Sequence, residues 1–410
     1  MEKKDKPEGL TRRTFIKSVG LAGIASAGLD LSSAASAASE QPGAAAGTMP
    51  RRKLGKTGVE VPVLALGGMF DTINNQLLLR QSLNWGVSFW DTAQMYGNGL
   101  SEEGFGRYFS HNPDARKDVF LSTKVRPNTP EVLTESLDNA LKRLSTDHVD
   151  LFYVHCVNEF SEIAVPKHYK EWSEGAKKAG KIKFFGFSTH QGMEASLALA
   201  AKTDWIDAIL FTYNFRIMHT PKMKEAVAAC VEKGIGLVAM KTQGMKQDQT
   251  ESEAELQLLE PFLKRGFTDK QAKVKAVLED PNIASVCSQM PSLTILSSNV
   301  AVALDKTSLT RNELELLARF AAETRHTYCA GCGRICSEAV GGAVPISEVM
   351  RCLMYYRDYG ERDLARKVFA GLPDDARAAL SRIDYSGAEN VCPQGMEIAK
   401  LMREASEILV

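Results

Sequence analysis

Neither charge predominates in this chain: 50 lysines and arginines stand against 50 aspartates and glutamates. Without a basic excess, nothing marks nucleic acid or an anionic membrane surface as a partner. Long apolar runs are also missing. The one near the start, Ser18 to Leu29, is too short to span a bilayer, and no later run is long enough for a transmembrane helix. Nor does Gly-x-Gly-x-x-Gly follow the first predicted strand. Ala65-Leu-Gly-Gly-Met69 lacks that spacing, which leaves the usual dinucleotide-binding fold unsupported. What the chain does have is 410 residues with an apolar share of 44%. That is enough for one large domain of about 250 residues and a smaller one.

The first residues read as an address rather than a fold. Lys3, Lys4 and Lys6 precede Thr11-Arg-Arg-Thr-Phe-Ile-Lys17, and the uncharged Ala/Gly-rich run follows. Ala35-Ser-Ala37 has the small residues of a cleavage site. The paired Arg12-Arg13, with Phe15 and Lys17, resembles a twin-arginine export signal. The competing reading is a basic amphipathic start on a cytoplasmic enzyme. The order of charge, apolar run and cleavage site favours a signal over 1–37, a linker over 38–50, and a periplasmic or otherwise exported product of the twin-arginine machinery.

From Arg52 onward, short apolar runs alternate with amphipathic segments. Lys53 to Gly58 predicts a hairpin turn, and Ser101 and Thr129 are candidate helix caps. Strands are expected at Val61–Gly68, Ser88–Thr92, Val119–Lys124, Val149–His155, Ile182–Phe187, Ala208–Thr212, Gly236–Met240 and Ala284–Cys287. Helices separate them, the fourth predicted to start at Lys167. Eight such units predict an α/β fold, a (β/α)8 TIM barrel over 51–305, rather than an open doubly wound sheet.

In such a barrel the carboxyl ends of the strands converge on one face. The second strand ends in Asp91, with Tyr96 just beyond; the third ends in Lys124; the fourth ends in His155. A phenol has an ordinary pKa of about 10 and is a poor acid at pH 7. A neighbouring ammonium would lower it, and a carboxylate would hold that ammonium in place. His155 would orient a substrate carbonyl, and Tyr96 would protonate its oxygen. Each residue alone has a bland reading as a loop cap, a solvated cation or a core histidine. Four compatible types on three successive strand ends point to catalysis. Cys156, next to His155, reads as a small buried filler, because neighbouring strand residues face opposite ways.

These residues resemble the aldo-keto reductase family. The matching text is Leu54-Gly-x-Thr-Gly58, Asp91-Thr-Ala-x-x-Tyr-Gly97, Ser101-Glu102, Ser122-Thr-Lys124, Asp150-Leu-x-x-x-His155 and Gly186-Phe-Ser-Thr-His190, within about Pro50 to Ala303. The resemblance implies reduction of aldehydes and ketones, a small-molecule carbonyl substrate, NAD(P)H as cofactor, and an acid–base tetrad of Asp91, Tyr96, Lys124 and His155. It implies cofactor contacts at Gly68, Ser188, Thr189, Lys241 (toward the pyrophosphate) and Asn299. Thr189 stands where the family has Asn, Leu210 where it has Gln, and Met240 where it has a ring-stacking Tyr. Ser288 to Asn299 contains no Lys or Arg for a 2′-phosphate, which weighs against the phosphorylated cofactor.

Past Thr310 the composition shifts. Residues 306–410 read as a mainly helical C-terminal domain carrying Tyr328-Cys-Ala-Gly-Cys-Gly-Arg-Ile-Cys336 and a distant Cys392-Pro393. This layout resembles ferredoxin-type cluster binding and assigns Cys329, Cys332, Cys336 and Cys392 to one [4Fe–4S] centre. Four-thiolate zinc and disulfides are the alternatives. Cys352 lies in an apolar helical stretch and reads as core. The combined expectation is an exported carbonyl/alcohol oxidoreductase whose cluster exchanges electrons with a partner at the membrane. The alternative is a non-enzymatic periplasmic electron carrier or redox-linked binding protein on a barrel scaffold.

Overall fold

The computed structural model describes residues 48–157, 168–244, 266–332 and 334–410, with Glu260 and Lys264. The predicted signal at 1–37, most of the 38–50 linker and the helix start at Lys167 lie outside the described residues. Ala46 to Val410 form one compact unit. No described helix is long and apolar enough to cross a membrane.

The chain enters through an antiparallel hairpin of β1 (Arg51–Lys53) and β2 (Glu60–Pro62). Eight parallel strands then close into a barrel: β3 (Leu64–Gly67), β4 (Phe89–Asp91), β5 (Phe120–Val125), β6 (Val149–Val154), β7 (Ile182–Thr189), β8 (Ala208–Thr212), β9 (Gly236–Met240) and β10 (Ser285–Gln289). β10 pairs with both β9 and β3, so the sheet has no free edge. The fold is the expected (β/α)8 barrel followed by C-terminal helices.

Strand period places every second side chain inside the barrel. Phe89, Leu151, Tyr153, Leu210 and Val238 pack there as an inner core. The other side of the same strands, with Trp90, Phe152 and Phe185, packs against the outer helices. Trp90 stacks near Phe105 and Phe109 of the helix Leu100–His111.

The helix Arg311–Glu323 starts with a two-way cap: the Thr310 hydroxyl accepts from the Glu313 amide, and Glu313 accepts from the Thr310 amide. Its Leu317 and Phe320 join the barrel core, whereas a second apolar core begins only at Val344 and runs to Leu409. The composition break near Thr310 therefore precedes the change of core by some thirty residues. Cys352 is fully buried in that second core, as its apolar surroundings suggested.

One predicted cap is corrected. The helix after β4 starts at Leu100 with Gly99 as its cap, and Ser101 lies inside it. The Ser101 hydroxyl donates to the Gly68 carbonyl (2.6 Å) and meets the Thr92 hydroxyl (2.7 Å). It ties the helix to the barrel rim instead of satisfying the helix's own amides.

Candidate active site

Alternation along the strands aims Asp91, Lys124, Ser188 and Thr212 into the carboxyl-end mouth. Register finishes the job. Asp91 on β4 lies opposite Ser122 on β5, and the Ser122 hydroxyl donates to Asp91 Oδ1 at 2.6 Å. One residue pair further out, Lys124 Nζ donates to Asp91 Oδ2 (2.6 Å) and to the Thr92 carbonyl (2.7 Å). Both charges are almost fully buried, so the pair holds only because each partner satisfies the other.

Tyr96 reaches this pair because the loop doubles back after β4. Gly97 and Gly99 take positive φ angles of 59° and 95°, where a Cβ is costly. The half-buried Tyr96 ring lies 4.9 Å from Lys124 Nζ, measured to its centroid. It meets the His155 ring edge-on at 5.8 Å. The four predicted tetrad residues thus come together in one corner of the mouth.

The electrostatics differ from expectation in one respect. Lys124 stands beside the phenol, yet the Tyr96 pKa is pushed well above the ordinary tyrosine range, first by burial and then by the Asp91 charge. The lysine's charge is shared with Asp91, so it does not acidify Tyr96 in this state. Burial likewise holds His155 neutral, well below the usual histidine range, with Lys124 adding to the push. His155 Nδ1 makes no hydrogen bond among the described residues.

Cys156 is a second correction. It is buried, but it is not filler on the far face. β6 ends at Val154, and Cys156 sits at φ +57°, which breaks the alternation and turns the side chain toward the mouth. Its sulfur, a His155 ring nitrogen and a His190 ring nitrogen all lie within 4.8 Å of one another.

The residues assigned to the cofactor are spread around the same rim. Ser188 is buried and its hydroxyl accepts from the Cys156 amide at 3.0 Å, leaving its own proton to donate. The Thr189 hydroxyl donates to the Gln191 carbonyl at 2.7 Å. The Asn299 amide donates to the Ser288 hydroxyl at 3.1 Å. A Cβ on Gly68 would come within 2.8 Å of Phe105 and Ser101, so that glycine serves close packing under the rim helix. Lys241, at φ +56°, sets its ammonium 5.1 Å from the Tyr355 ring. Burial, with Arg351 next, lowers the Lys241 pKa to about 7.

Tyr355 and Arg351 belong to the helix Ile346–Arg357, which roofs this side of the mouth and which the sequence did not place there. The Arg351 guanidinium pairs with Glu348, and one of its nitrogens lies 3.6 Å from Cys156 Sγ. The loop after β7 clamps the helix down: Gln191 donates to Glu348 and accepts from Ser347 at 2.7 Å. Gly192 ties the same loop to the cysteine segment by donating to the Gly331 carbonyl at 2.7 Å. The available signal was Glu348, Arg351 and Tyr355 at i, i+3 and i+7 of the helix, which puts three polar groups on one face.

Cys329, Cys332, Cys336 and Cys392 line a single cavity of about 370 Å³, walled mainly by apolar side chains such as Ile335 and Met350 with Ser347 and Gln394. All eight cysteines are free thiols. Burial pushes Cys329 up to about 12 and Cys332 up to about 11. Single zinc bound by four thiolates needs sulfurs about 3.8 Å apart, from a Zn–S bond of about 2.3 Å. Among the described residues the one close-set group of three or more ligand atoms is His155, Cys156 and His190, so the four sulfurs are spread more widely than that. Four soft ligands thus face one cavity, a donor set suited to a thiolate-bound metal centre.

Comparison with known proteins agrees with the barrel. The model of the Aldo/keto reductase family matches residues 67–323. Aldo-keto reductase yakc [NADP(+)] of Schizosaccharomyces pombe is 33% identical over 212 residues, covering 47% of this chain and 60% of that protein. L-glyceraldehyde 3-phosphate reductase of Escherichia coli is 26% identical over 214 residues, covering 47% and 61%. The chain thus spans less than two-thirds of the length of these curated relatives. The solved structure of aldo-keto reductase AKR11C1 from Bacillus halodurans (holo form) superposes with a TM-score of 0.55 at 24% identity, covering 66% of this chain and 96% of that one. The chain belongs to the Aldo/keto reductase family.

Proposed function

We propose that this chain is a carbonyl/alcohol oxidoreductase in which Tyr96 is the general acid and the four-cysteine cavity holds a [4Fe–4S] cluster for electron transfer. The observation that carries the first half is the corner itself: Lys124 Nζ at 2.6 Å from Asp91, 4.9 Å from the Tyr96 ring, with His155 against that ring. A carbonyl oxygen placed among Tyr96, His155 and Lys124 receives negative charge as its carbon is reduced. The neutral His155 ring orients it, and the buried ammonium stabilises the growing charge. Tyr96, held protonated by burial, passes its proton to the alkoxide, a far stronger base than a phenolate. The phenolate left behind is stabilised by Lys124. The reverse sequence oxidises an alcohol.

When bound, a nicotinamide supplies or accepts the hydride, and an iron–sulfur cluster moves electrons singly. Ser188 retains a proton for the carboxamide, and Asn299 lies on the rim beyond β10. The yeast relative, named for NADP(+), supports the phosphorylated form, although Ser288 to Asn299 carries no cation. The cluster reading rests on the four thiols lining one cavity. We place the protein in an exported compartment through the twin-arginine machinery, supported by Arg12-Arg13 and the segment after them. That machinery carries folded cargo, so a cluster can travel already inserted, and a membrane partner would exchange its electrons.

The test is carbonyl reduction by wild type and Tyr96→Phe with NADH, NADPH and a chemical reductant, beside iron and acid-labile sulfide analysis. Activity that Tyr96→Phe leaves intact overturns the general-acid role and favours an electron carrier on a barrel scaffold. Iron-free protein with bound zinc overturns the cluster.

A further inference from the structure

A second cavity, of about 460 Å³, lies between the barrel mouth and the cysteine segment. Its polar wall comes from both parts of the chain: His190 and Lys241 from the barrel loops, Arg351 from the roof helix, and Tyr328 from the segment leading into the cysteines. Cys329, Ala330, Ser347 and Met350 line this cavity and the cysteine cavity alike.

Two features of this wall point to a ligand. Arg351 is almost fully buried, yet its Nε makes no hydrogen bond among the described residues, an expensive state for a charged donor. Lys241 adds an ammonium 5.1 Å from the centre of the Tyr355 ring. The charges fix the sign. Arg351 pairs with Glu348, so Lys241, once protonated, leaves the group with one positive charge. His155 and His190 are kept neutral by burial and add none. A cation held by His155, Cys156 and His190 would instead face the Arg351 guanidinium, 3.6 Å from the sulfur.

The geometry points to an anion subsite: Lys241 and Arg351 receive the carboxylate of an oxoacid or hydroxyacid substrate whose reacting carbon lies toward His155 and Tyr96. This rests on the carbonyl-reduction reading for the position of the reacting end, and it gives Lys241 to the substrate rather than to a pyrophosphate. One net positive charge matches one carboxylate better than a phosphate dianion or a pyrophosphate. A carboxylate also restores the proton that burial strips from Lys241 near pH 7.

The experiment is calorimetric binding to the full, metal-loaded chain under anaerobic conditions, with oxalate, pyruvate and phenylpyruvate as probes. Methyl pyruvate is the uncharged control; inorganic phosphate, pyrophosphate and NADP+ are the competing oxyanions. The expected result is binding of at least one carboxylate, weakened about tenfold or more by loss of a charge-assisted bond in Lys241→Met. Arg351→Met weakens it similarly and Arg351→Lys less. Because Arg351→Met strands Glu348, Lys241→Met is the deciding variant, with its fold checked by circular dichroism. Three results overturn the subsite: no carboxylate binds, methyl pyruvate binds as well as pyruvate, or Lys241→Met weakens only phosphate, pyrophosphate or NADP+. Carboxylate binding that depends on Lys241 without any turnover keeps the subsite and removes the reductase reading, so the two fail separately.

Discussion

The Asp91–Lys124 corner and the cysteine cavity are both built from ionisable groups away from bulk water, but they are finished in different ways. Asp91 and Lys124 complete each other within the chain: the carboxylate has Ser122 and Lys124, and the ammonium has Asp91 and a carbonyl. The four cysteines face one cavity as free thiols, and burial pushes Cys329, Cys332 and Cys336 toward their protonated form. The Asp91–Lys124 pair is therefore satisfied by the chain alone. Under the proposed function the cavity is completed only when a metal takes the protons' place. The satisfied ion pair and the unpaired thiols sit within one compact unit.

Breaking the corner gives the largest effect. Tyr96→Phe removes the proton donor while keeping the ring that packs on His155, and carbonyl reduction measured as kcat falls about 10²- to 10⁴-fold with unchanged circular dichroism. Lys124→Met leaves the buried Asp91 with Ser122 but without its counter-charge, and urea denaturation shows a loss of about 3–5 kcal/mol. Iron should not change in either variant.

Breaking the cavity reverses that pattern. Cys329→Ser loses iron and its visible absorbance and lowers the hydrogen-exchange protection of the 344–409 core. The ion pair at Asp91 and Lys124 keeps the barrel strands protected. Equal loss in both regions would show the two are not separable.

A weaker test uses acid. His155 and His190 are neutral in the native protein, held well below the ordinary value by burial, with neighbouring cations adding to it. An unfolded histidine titrates near ~6.5. Below that pH the unfolded chain binds protons that the native chain refuses, so this stability is complete above ~6.5 and is lost as pH falls. The urea midpoint should drop from pH 7.5 to pH 5, and His190→Gln should flatten the drop by about one proton. Smallest of all, Cys352→Ala should cost about 1 kcal/mol, the scale of removing a small buried group, and leave the iron in place.

The barrel was legible because each of its signals is local. Strand-length apolar runs, intervening helices and a polar residue at each strand end are visible in the text, and period-two geometry turns them into a site. Asp91, Lys124 and His155 needed nothing more. The roof helix needed more. Arg351 acts on Cys156, nearly two hundred residues earlier, and no local pattern names that partner. Cys156 was misjudged because alternation was carried one residue past the end of β6 into a left-handed turn. Ser101 looked like a cap, since a hydroxyl before a helix usually caps it, but tertiary contact with Gly68 won. Lys124 was expected to acidify Tyr96; the sum of burial and the Asp91 charge is not visible in a string of letters.

Four residues, Cys329, Ala330, Ser347 and Met350, form a septum between the cysteine cavity and the chamber beside the barrel mouth. Whatever fills the first chamber shapes the second, so a chain stripped of iron should lose its grip on substrate while its barrel still stands.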